Sequence, residues 1–372
     1  ASSAASDVYK RQARFILGGQ MASDERIRDI GLIRRSISRP ELGSVFGLII
    51  IVITFMTLTS ISGTFGAMWL NPIGIQAWVE LAAFVGILAI GASLLMIAGE
   101  FDLSMGANIA LAGHSFAIFL LFGVPIELAI ILTFIELAFL GFIIGVIVVR
   151  TGLPSFIVTL AFWFASRGFA VFLSQTFFNQ SRLSVKANLK PPPGGGEDPT
   201  LIDNIFAFDK AFGVPFDAEV YYFIILVFIV AFITNRTPYG NWIYASGGDP
   251  VAARAVGVPV ARVKISLFMI STSLACLLGI LTVMTSGASD PKAGDFRDLH
   301  AIAAAVIGGC ALTGGYGSVV GAVLGALIFA IASRGINFVP FIDNNLFRVM
   351  LGMLILGSAL LNQFLRDRIV KG

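Results

Sequence analysis

A short polar segment interrupts two apolar runs and holds side chains that could contact a polar solute. It reads GEFDLSMGANIALAG from Gly99 to Gly113. Asp102 can cap the following helix through the free backbone N–H groups at its start, and Gly99 allows a sharp turn before it. Helices broken at membrane depth commonly line a pathway, because backbone groups left unpaired need protein or water around them. A tight turn outside the bilayer, with a capping Asp, is the alternative interpretation.

Ionisable residues within the apolar runs are few, and each is a candidate functional residue because a charge inside a bilayer is costly. Glu136 and Arg167 could pair between two helices, or they could face a cavity and bind a polar ligand. His114 is expected to be a hydrogen-bonded histidine of the bundle rather than a proton relay. Aromatic side chains near Arg167 pack or face lipid, but aromatic rings also stack on sugar rings. The predicted substrate pathway comprises Asp102, Ser104, Asn108, Glu136, Trp163 and Arg167.

The loop 234–264 contains a short helix whose two ends are both marked in the sequence. Asp249 is a good N-cap, and Pro250 suits the first helical position. Gly257 can end the helix in a left-handed conformation. We predict a helix of about two turns that exposes an arginine beside small residues. Such a helix is typical of a docking element, and an interfacial helix on the lipid headgroups is the alternative. The candidate docking residues are Asp249, Pro250, Ala253, Arg254 and Gly257.

A glycine-rich region follows near the carboxyl end. Gly317, Gly321 and Gly325 are spaced by four residues, which predicts one smooth stripe on a helix against which another helix can pack closely. The region does not match a phosphate-binding loop, because the chain has no Gly-Lys dipeptide and therefore lacks the lysine of the GxxxxGK[ST] motif. We expect no nucleotide site and no cofactor in this chain.

The composition shows what kind of chain must position these residues. Of 372 residues, 57% are hydrophobic and 13% are charged, whereas a soluble domain carries about 25% charge. Two cysteines within apolar runs support neither a disulfide framework nor a metal site, and a net charge of +3 gives no indication of nucleic acid binding. The apolar residues form blocks of about 20, each able to cross a bilayer as a helix. The ten predicted segments are 43–61, 80–98, 103–123, 126–149, 156–173, 220–233, 265–285, 300–314, 317–332 and 346–365.

These segments predict an all-α polytopic membrane protein with about ten transmembrane helices, some of them broken or re-entrant. An even number of crossings places both termini on one side, and the excess of Lys and Arg on the loops of that side predicts that both termini are cytoplasmic. The expected organisation is a cytoplasmic segment 21–42, a transmembrane domain 43–366 with an outer loop 174–219 and an inner loop 234–264, and a cytoplasmic tail 367–372.

The first residues stand apart from this organisation. Ser2 to Gln12 reads SSAASDVYKRQ, which is what a common sequencing adapter gives when it is translated in frame. We expect residues 1–20 to be such a scar, with Met21 as the natural start. An ordinary disordered N-terminus is the alternative.

Four blocks together resemble the ribose-type permeases of bacterial sugar ABC importers, the branch that handles ribose, xylose, fructose, inositol and similar polyols. They are GEFDLSMG, GLPSFIVTLAFWFASRG, GGDPVAARAVGV and HAIAAAVIGGCALTGGYGSVVGAVLGALI, in the right order over roughly residues 42–366. The chain departs from the pattern at Glu100, where many members have glycine, and at Ile144, where an asparagine is expected.

The resemblance implies a homodimeric pore in the bacterial inner membrane, with ATP and Mg²⁺ bound in a separate ATPase subunit. A periplasmic sugar-binding protein would deliver a small sugar or polyol, and Asp249 to Val258 would be the helix that couples to the ATPase. An ion-coupled secondary transporter that uses Glu136, Asp102 and His114 is the rival hypothesis. An enzyme is not expected, since the HExxH and GxSxG motifs are both absent.

Overall fold

The computed structural model describes residues 41–189, 216–343 and 345–371, with side chains to residue 360. The expected scar 1–20, nearly all of segment 21–42 and the Pro191–Gly196 stretch of the long loop lie outside these residues. Every helix and turn described below belongs to the unit Pro40–Gly372.

Helices account for nearly all the regular structure of the described residues, with one isolated bridge between Ser184 and Ala288. Each of the ten predicted segments contains a helix, which confirms the all-α polytopic class. Three further short helices, α2, α8 and α9, lie between them. The helices are α1 Glu41–Ile61, α2 Phe65–Trp69, α3 Pro72–Ile97, α4 Met105–Leu121, α5 Ile126–Thr151, α6 Ser155–Phe178, α7 Ala218–Arg236, α8 Pro238–Gly248, α9 Pro250–Ala255, α10 Val260–Ser286, α11 Arg297–Ile307, α12 Val319–Gly335 and α13 Leu346–Lys371.

Seven of these helices are long and apolar enough to cross a membrane: α1, α3, α5, α6, α7, α10 and α12 with its 3₁₀ extension. They differ in how much of their surface the rest of the chain covers. In its most apolar stretch α3 is 89% buried, whereas α1 and α6 are each only 22% buried. The helix α3 is therefore the centre of the bundle, together with α10. Since the large exposed side chains of α1 and α6 are apolar, their outer faces are suited to lipid or to another apolar surface.

Two crossings are broken rather than continuous, and they correct the sequence-based boundaries. The segment predicted as 103–123 contains a helix only from Met105, and residues 100–104 before it belong to no helix or strand. The segment predicted as 300–314 is not a spanning helix: α11 has 11 residues, or about 16 Å at 1.5 Å per residue. The glycine pair at 308–309 ends it, because Gly309 adopts a positive φ of 92°.

One end of the bundle is assembled from four parts of the chain. The Gly315 N–H donates to the carbonyl of Ile97 at 2.8 Å, and the backbones of Gly99 and Gly247 approach closely beside it. The Phe101 N–H donates to the hydroxyl of Ser155 at 2.9 Å. We call this the coupling end, since it carries α8 and α9.

Candidate functional site

The predicted docking helix is present at the coupling end as α9. The carboxylate of Asp249 accepts hydrogen bonds from the N–H groups of Val251 and Ala252 at 2.9 and 3.0 Å, and Pro250 occupies the first helical position. Gly257 has a φ of 89°, which a side chain would strain. These are the ends that the sequence predicts.

The exposed face of α9 differs from the predicted one. Ala253 is only 4% exposed and packs against its own chain, so it is not free for a partner. The exposed residues are Val251, Ala252, Arg254 and Ala255 on α9 and Val256 directly after it, and the two valines are 74% and 81% exposed. The exposed arginine and alanines fit the predicted face, whereas the exposure of the two valines was not predicted. An apolar pair beside one cation is suited to docking against a protein groove.

The helix α8 fixes the position of α9 on the bundle. The hydroxyl of Tyr244 donates to the carbonyl of Gly317 at 3.0 Å, and burial raises the pKa of Tyr244 to about 12, so this donor stays protonated. A Cβ added at Gly247 would lie 2.8 Å from the Gly315 nitrogen, which shows how closely the two backbones pack. The helix α8 therefore joins α9 to the connection between α11 and α12 through direct contacts.

The predicted glycine stripe is shorter than expected. Gly317 is not in a helix, because Ser318 caps α12 by accepting from the Gly321 N–H at 3.3 Å. Only Gly321 and Gly325 lie on α12. Both pack on α11, where an added Cβ would clash with the carbonyls of Gly308 and Ala304. The packing partner of the stripe is thus a helix of the same chain.

Three of the predicted pathway residues lie in one buried polar network. One oxygen of Asp102 accepts from the Ser104 N–H at 2.8 Å and from its hydroxyl at 2.6 Å, while the other accepts from the Ser271 hydroxyl at 2.6 Å. The Asn108 amide donates to Ser104 at 3.0 Å and accepts from Ser166 at 2.8 Å. All five side chains are at most 3% exposed.

This network joins the non-helical segment 99–104 to α4, α6 and α10 in the middle of the bundle. The Leu103 N–H also donates to the Thr159 hydroxyl at 3.1 Å, so the unpaired backbone of the broken crossing is satisfied by side chains. Ser166 and Ser271 were not predicted. The signal available for them was only a hydroxyl in an otherwise apolar run.

The other predicted pathway residues lie elsewhere. Glu136 accepts from the Ser115 hydroxyl at 2.9 Å, and it does not pair with Arg167, whose ion-pair partner is Asp295. The Arg167 guanidinium also lies 4.9 Å from the centre of the Trp163 ring. Buried His114 lies near two backbone carbonyls, in agreement with a hydrogen-bonded bundle histidine. The structure does not bring together the three groups of the ion-coupled hypothesis.

An ion pair links the base of the broken segment to α10. The Lys264 ammonium lies 2.5 Å from the Glu100 carboxylate, and the two side chains are 15% and 12% exposed. They line a cavity of about 330 Å³ beside Arg254 of α9. The pair therefore connects the second turn of α10, the helix that follows α9, to the segment that carries Asp102.

We predict that this pair contributes measurably to stability. Glu100→Gln leaves the Lys264 ammonium mostly buried without its carboxylate, and we expect a loss of about 1–2 kcal/mol, less than for a fully buried pair. Lys264→Met removes the other partner. A double-mutant cycle of unfolding free energies in detergent should give a coupling energy of about 1 kcal/mol. Strictly additive effects would contradict a direct interaction.

The described residues contain no group of three or more His, Cys, Asp or Glu side chains placed to hold a metal ion. Cys276 and Cys310 are buried and are not joined to each other.

Residues 74–359 match the model of a protein family described as the branched-chain amino acid transport system permease component. The chain is 28% identical over 321 residues to the fructose import permease protein FrcC of Rhizobium meliloti, covering 85% of each protein. It is 31% identical over 324 residues to the ribose import permease protein RbsC of Bacillus subtilis, covering 87% of this chain and 92% of the relative. It is also 31% identical over 334 residues to the xylose transport system permease protein XylH of Escherichia coli, covering 78% and 83%. No solved structure matches the chain.

The match extends from the first turn of α3 into α13 and so includes the broken crossings, the Asp102 network and α9. The three relatives are import permeases rather than enzymes. Together with the seven candidate spans, this shows a multi-pass membrane protein, which in bacteria resides in the inner membrane. The chain belongs to the family of permease components of ABC importers.

Proposed function

We propose that this chain imports a small sugar or polyol as the membrane-spanning subunit of an ATP-driven transporter. A separate ATPase subunit binds ATP and Mg²⁺ at the coupling end, which is cytoplasmic together with both termini. A sugar-binding protein delivers the solute at the opposite end, and a second copy of the chain completes the pore. The chain itself makes and breaks no covalent bond and holds no cofactor. The names of its relatives support a sugar rather than an amino acid.

The observation that carries this proposal is the exposed, pre-capped helix α9. Its Asp249 cap holds it in a helical state without a partner, and Val251 and Val256 expose apolar surface that water does not favour. Arg254 adds one cation for an acidic side chain of the ATPase. A transporter driven by ions alone has no use for such a surface.

The contacts of α9 explain how ATP binding could change access to the pathway. Only Val256 to Pro259 separate α9 from α10, a continuous helix of 27 residues. Eleven residues into α10, Ser271 holds Asp102, and near its start Lys264 holds Glu100. A displacement of α9 therefore acts on the broken segment at two points. The ATPase would favour one access state by binding it more tightly than the other.

This function is tested by charging the exposed face of α9. In Val251→Glu/Val256→Glu, two carboxylates replace the apolar pair, and we expect ATPase binding and ATP-dependent uptake to fall at least tenfold. Neither valine is buried, so membrane insertion and thermal stability should not change. Uptake of labelled ribose, xylose and fructose is measured in proteoliposomes that contain the permease, the ATPase and the binding protein.

The matched control is Leu70→Glu, at the opposite end, where the leucine is 70% exposed. It places a carboxylate at a similarly exposed apolar position and should leave ATPase binding unchanged. ATPase binding by the double variant at the level of the control would contradict the docking role of α9. Uptake without ATP that a protonophore abolishes would instead support the ion-coupled rival.

A further inference from the structure

Arg167, Asp295 and Trp163 form a polar cluster on the outer surface of the bundle. Arg167 donates to the Asp295 carboxylate and lies over the Trp163 ring. Asp295 is 39% exposed and Arg167 is 18% exposed, so the ion pair is partly open. Within the described chain, Nε and Nη2 of Arg167 are buried and have no hydrogen-bond acceptor. The guanidinium therefore carries two N–H donors that the described residues do not satisfy.

The cluster lies near the middle of the membrane. Arg167 is the thirteenth of the 24 residues of α6, which places it about 18 Å along a helix of about 36 Å. Asp295 directly follows Gly294, whose backbone packs on Gly106 at the start of α4. Both residues are thus level with the broken segments, far from either end of α6.

An ion pair at this depth cannot face lipid without a large cost. Charged side chains within membrane segments face a protein interior or a water-filled cavity. Since this chain alone leaves Asp295 open, the surface around it must border water or a second copy. Phe296 and Leu299, close to Asp295 in the sequence, are 66% and 51% exposed. They add apolar side chains to the same surface. This face is suited to a narrow, partly hydrated passage.

We propose that Trp163, Arg167 and Asp295 bind the hydroxyl groups of the sugar as it crosses the membrane. The proposal rests on the proposed function and assigns its pathway to this face of α6 and α11. Guanidinium N–H groups donate to hydroxyl oxygens, a carboxylate accepts from hydroxyl protons, and an indole ring covers the apolar C–H face of a sugar. The Asp102 network is fully buried and positions the broken segment rather than contacting the solute.

The first test measures whether water reaches this face. Trp163→Cys is made in a background with Cys276→Ala and Cys310→Ala, and it is treated with a membrane-impermeant thiol reagent in the assembled transporter. We expect rapid labelling that ribose, xylose or fructose slows at least threefold. Phe139→Cys on α5 is the control, since Phe139 is 60% exposed and lies near the middle of its helix. Equal labelling at both positions, or none at Trp163→Cys, would overturn the assignment.

The second test measures sugar recognition. Asp295→Asn removes the carboxylate and Arg167→Lys removes the planar fork of donors. For each, we expect the KM for sugar uptake to rise at least tenfold, with binding to the ATPase unchanged. Glu127→Gln, an exposed carboxylate on the first turn of α5, is the matched control and should transport normally. Unchanged KM values in both cluster variants would refute the sugar site while the importer function stands. If the unaltered transporter imports none of the three sugars, the proposed function fails and the sugar site with it.

Discussion

Asp102→Ala is expected to destabilise the native fold severely, although the residue is not part of α9. The Asp102 carboxylate accepts three hydrogen bonds, one from the Ser104 N–H and two from serine hydroxyls. Each buried donor left without an acceptor costs about 1–3 kcal/mol. The hydroxyls can turn to other acceptors, but the N–H cannot, so we expect a total loss of about 3–5 kcal/mol, a large part of the stability of a typical domain.

Asp102→Asn separates the loss of charge from the loss of the acceptor. Its amide oxygen can still accept from Ser104, and the Ser271 hydroxyl can reorient to accept from the new NH₂ group. We expect this variant to fold with a loss of about 1–2 kcal/mol. Thermal unfolding in detergent, followed by size-exclusion chromatography, ranks the two variants.

Asp343→Ala is the matched control for the local hydrogen bond. Asp343 accepts from the N–H two residues further on at 2.7 Å, as Asp102 does, but at an exposed turn. Because water replaces the lost bond there, we expect a change within about 0.5 kcal/mol. A small effect of Asp102→Ala, similar to that of the control, would contradict a structural role for the buried network.

The network also shows how far the sequence predicts the structure. The polar residues between two apolar runs predicted the broken crossing. The Asp–Pro pair and the glycine after it predicted both ends of α9. These features are local, since each depends on residues within a few positions of one another. The periodic apolar blocks likewise located a helix in each of the ten predicted segments.

Features that depend on packing were not predictable in the same way. Arg167 pairs with Asp295, which lies 128 positions away in the sequence on a connection without regular structure. The sequence alone therefore could not exclude Glu136 as the partner of Arg167. The direction of Ala253 depends on how α9 rests on the bundle. Gly317 fits the four-residue spacing of a helix, and only the competing N-cap signal of Ser318 indicates that the helix starts after it.

Substitution of Gly247, which packs closely on the backbones of Ile97 and Gly315, is expected to have the second large effect on stability. Gly247→Val should abolish the folded protein, and Gly247→Ala should destabilise it by about 3 kcal/mol, because overpacking against rigid backbone is not relieved by side-chain movement. A Cβ at this position would lie 2.8 Å from both the Gly315 nitrogen and the Ala98 carbonyl carbon, and closer still to the Ile97 oxygen. The Gly315–Ile97 hydrogen bond would have to break.

Gly352→Ala is the matched control, because a Cβ there meets no atom within 4 Å and the residue lies inside α13. Alanine favours a helix over glycine by about 1 kcal/mol, so this change should be neutral or stabilising. Thermal unfolding in detergent compares the two glycines directly. If Gly247→Ala is folded and as stable as Gly352→Ala, α8 is not held against the α3 end and the α11–α12 connection. In that case α9 would lack the rigid support through which a partner could move the bundle.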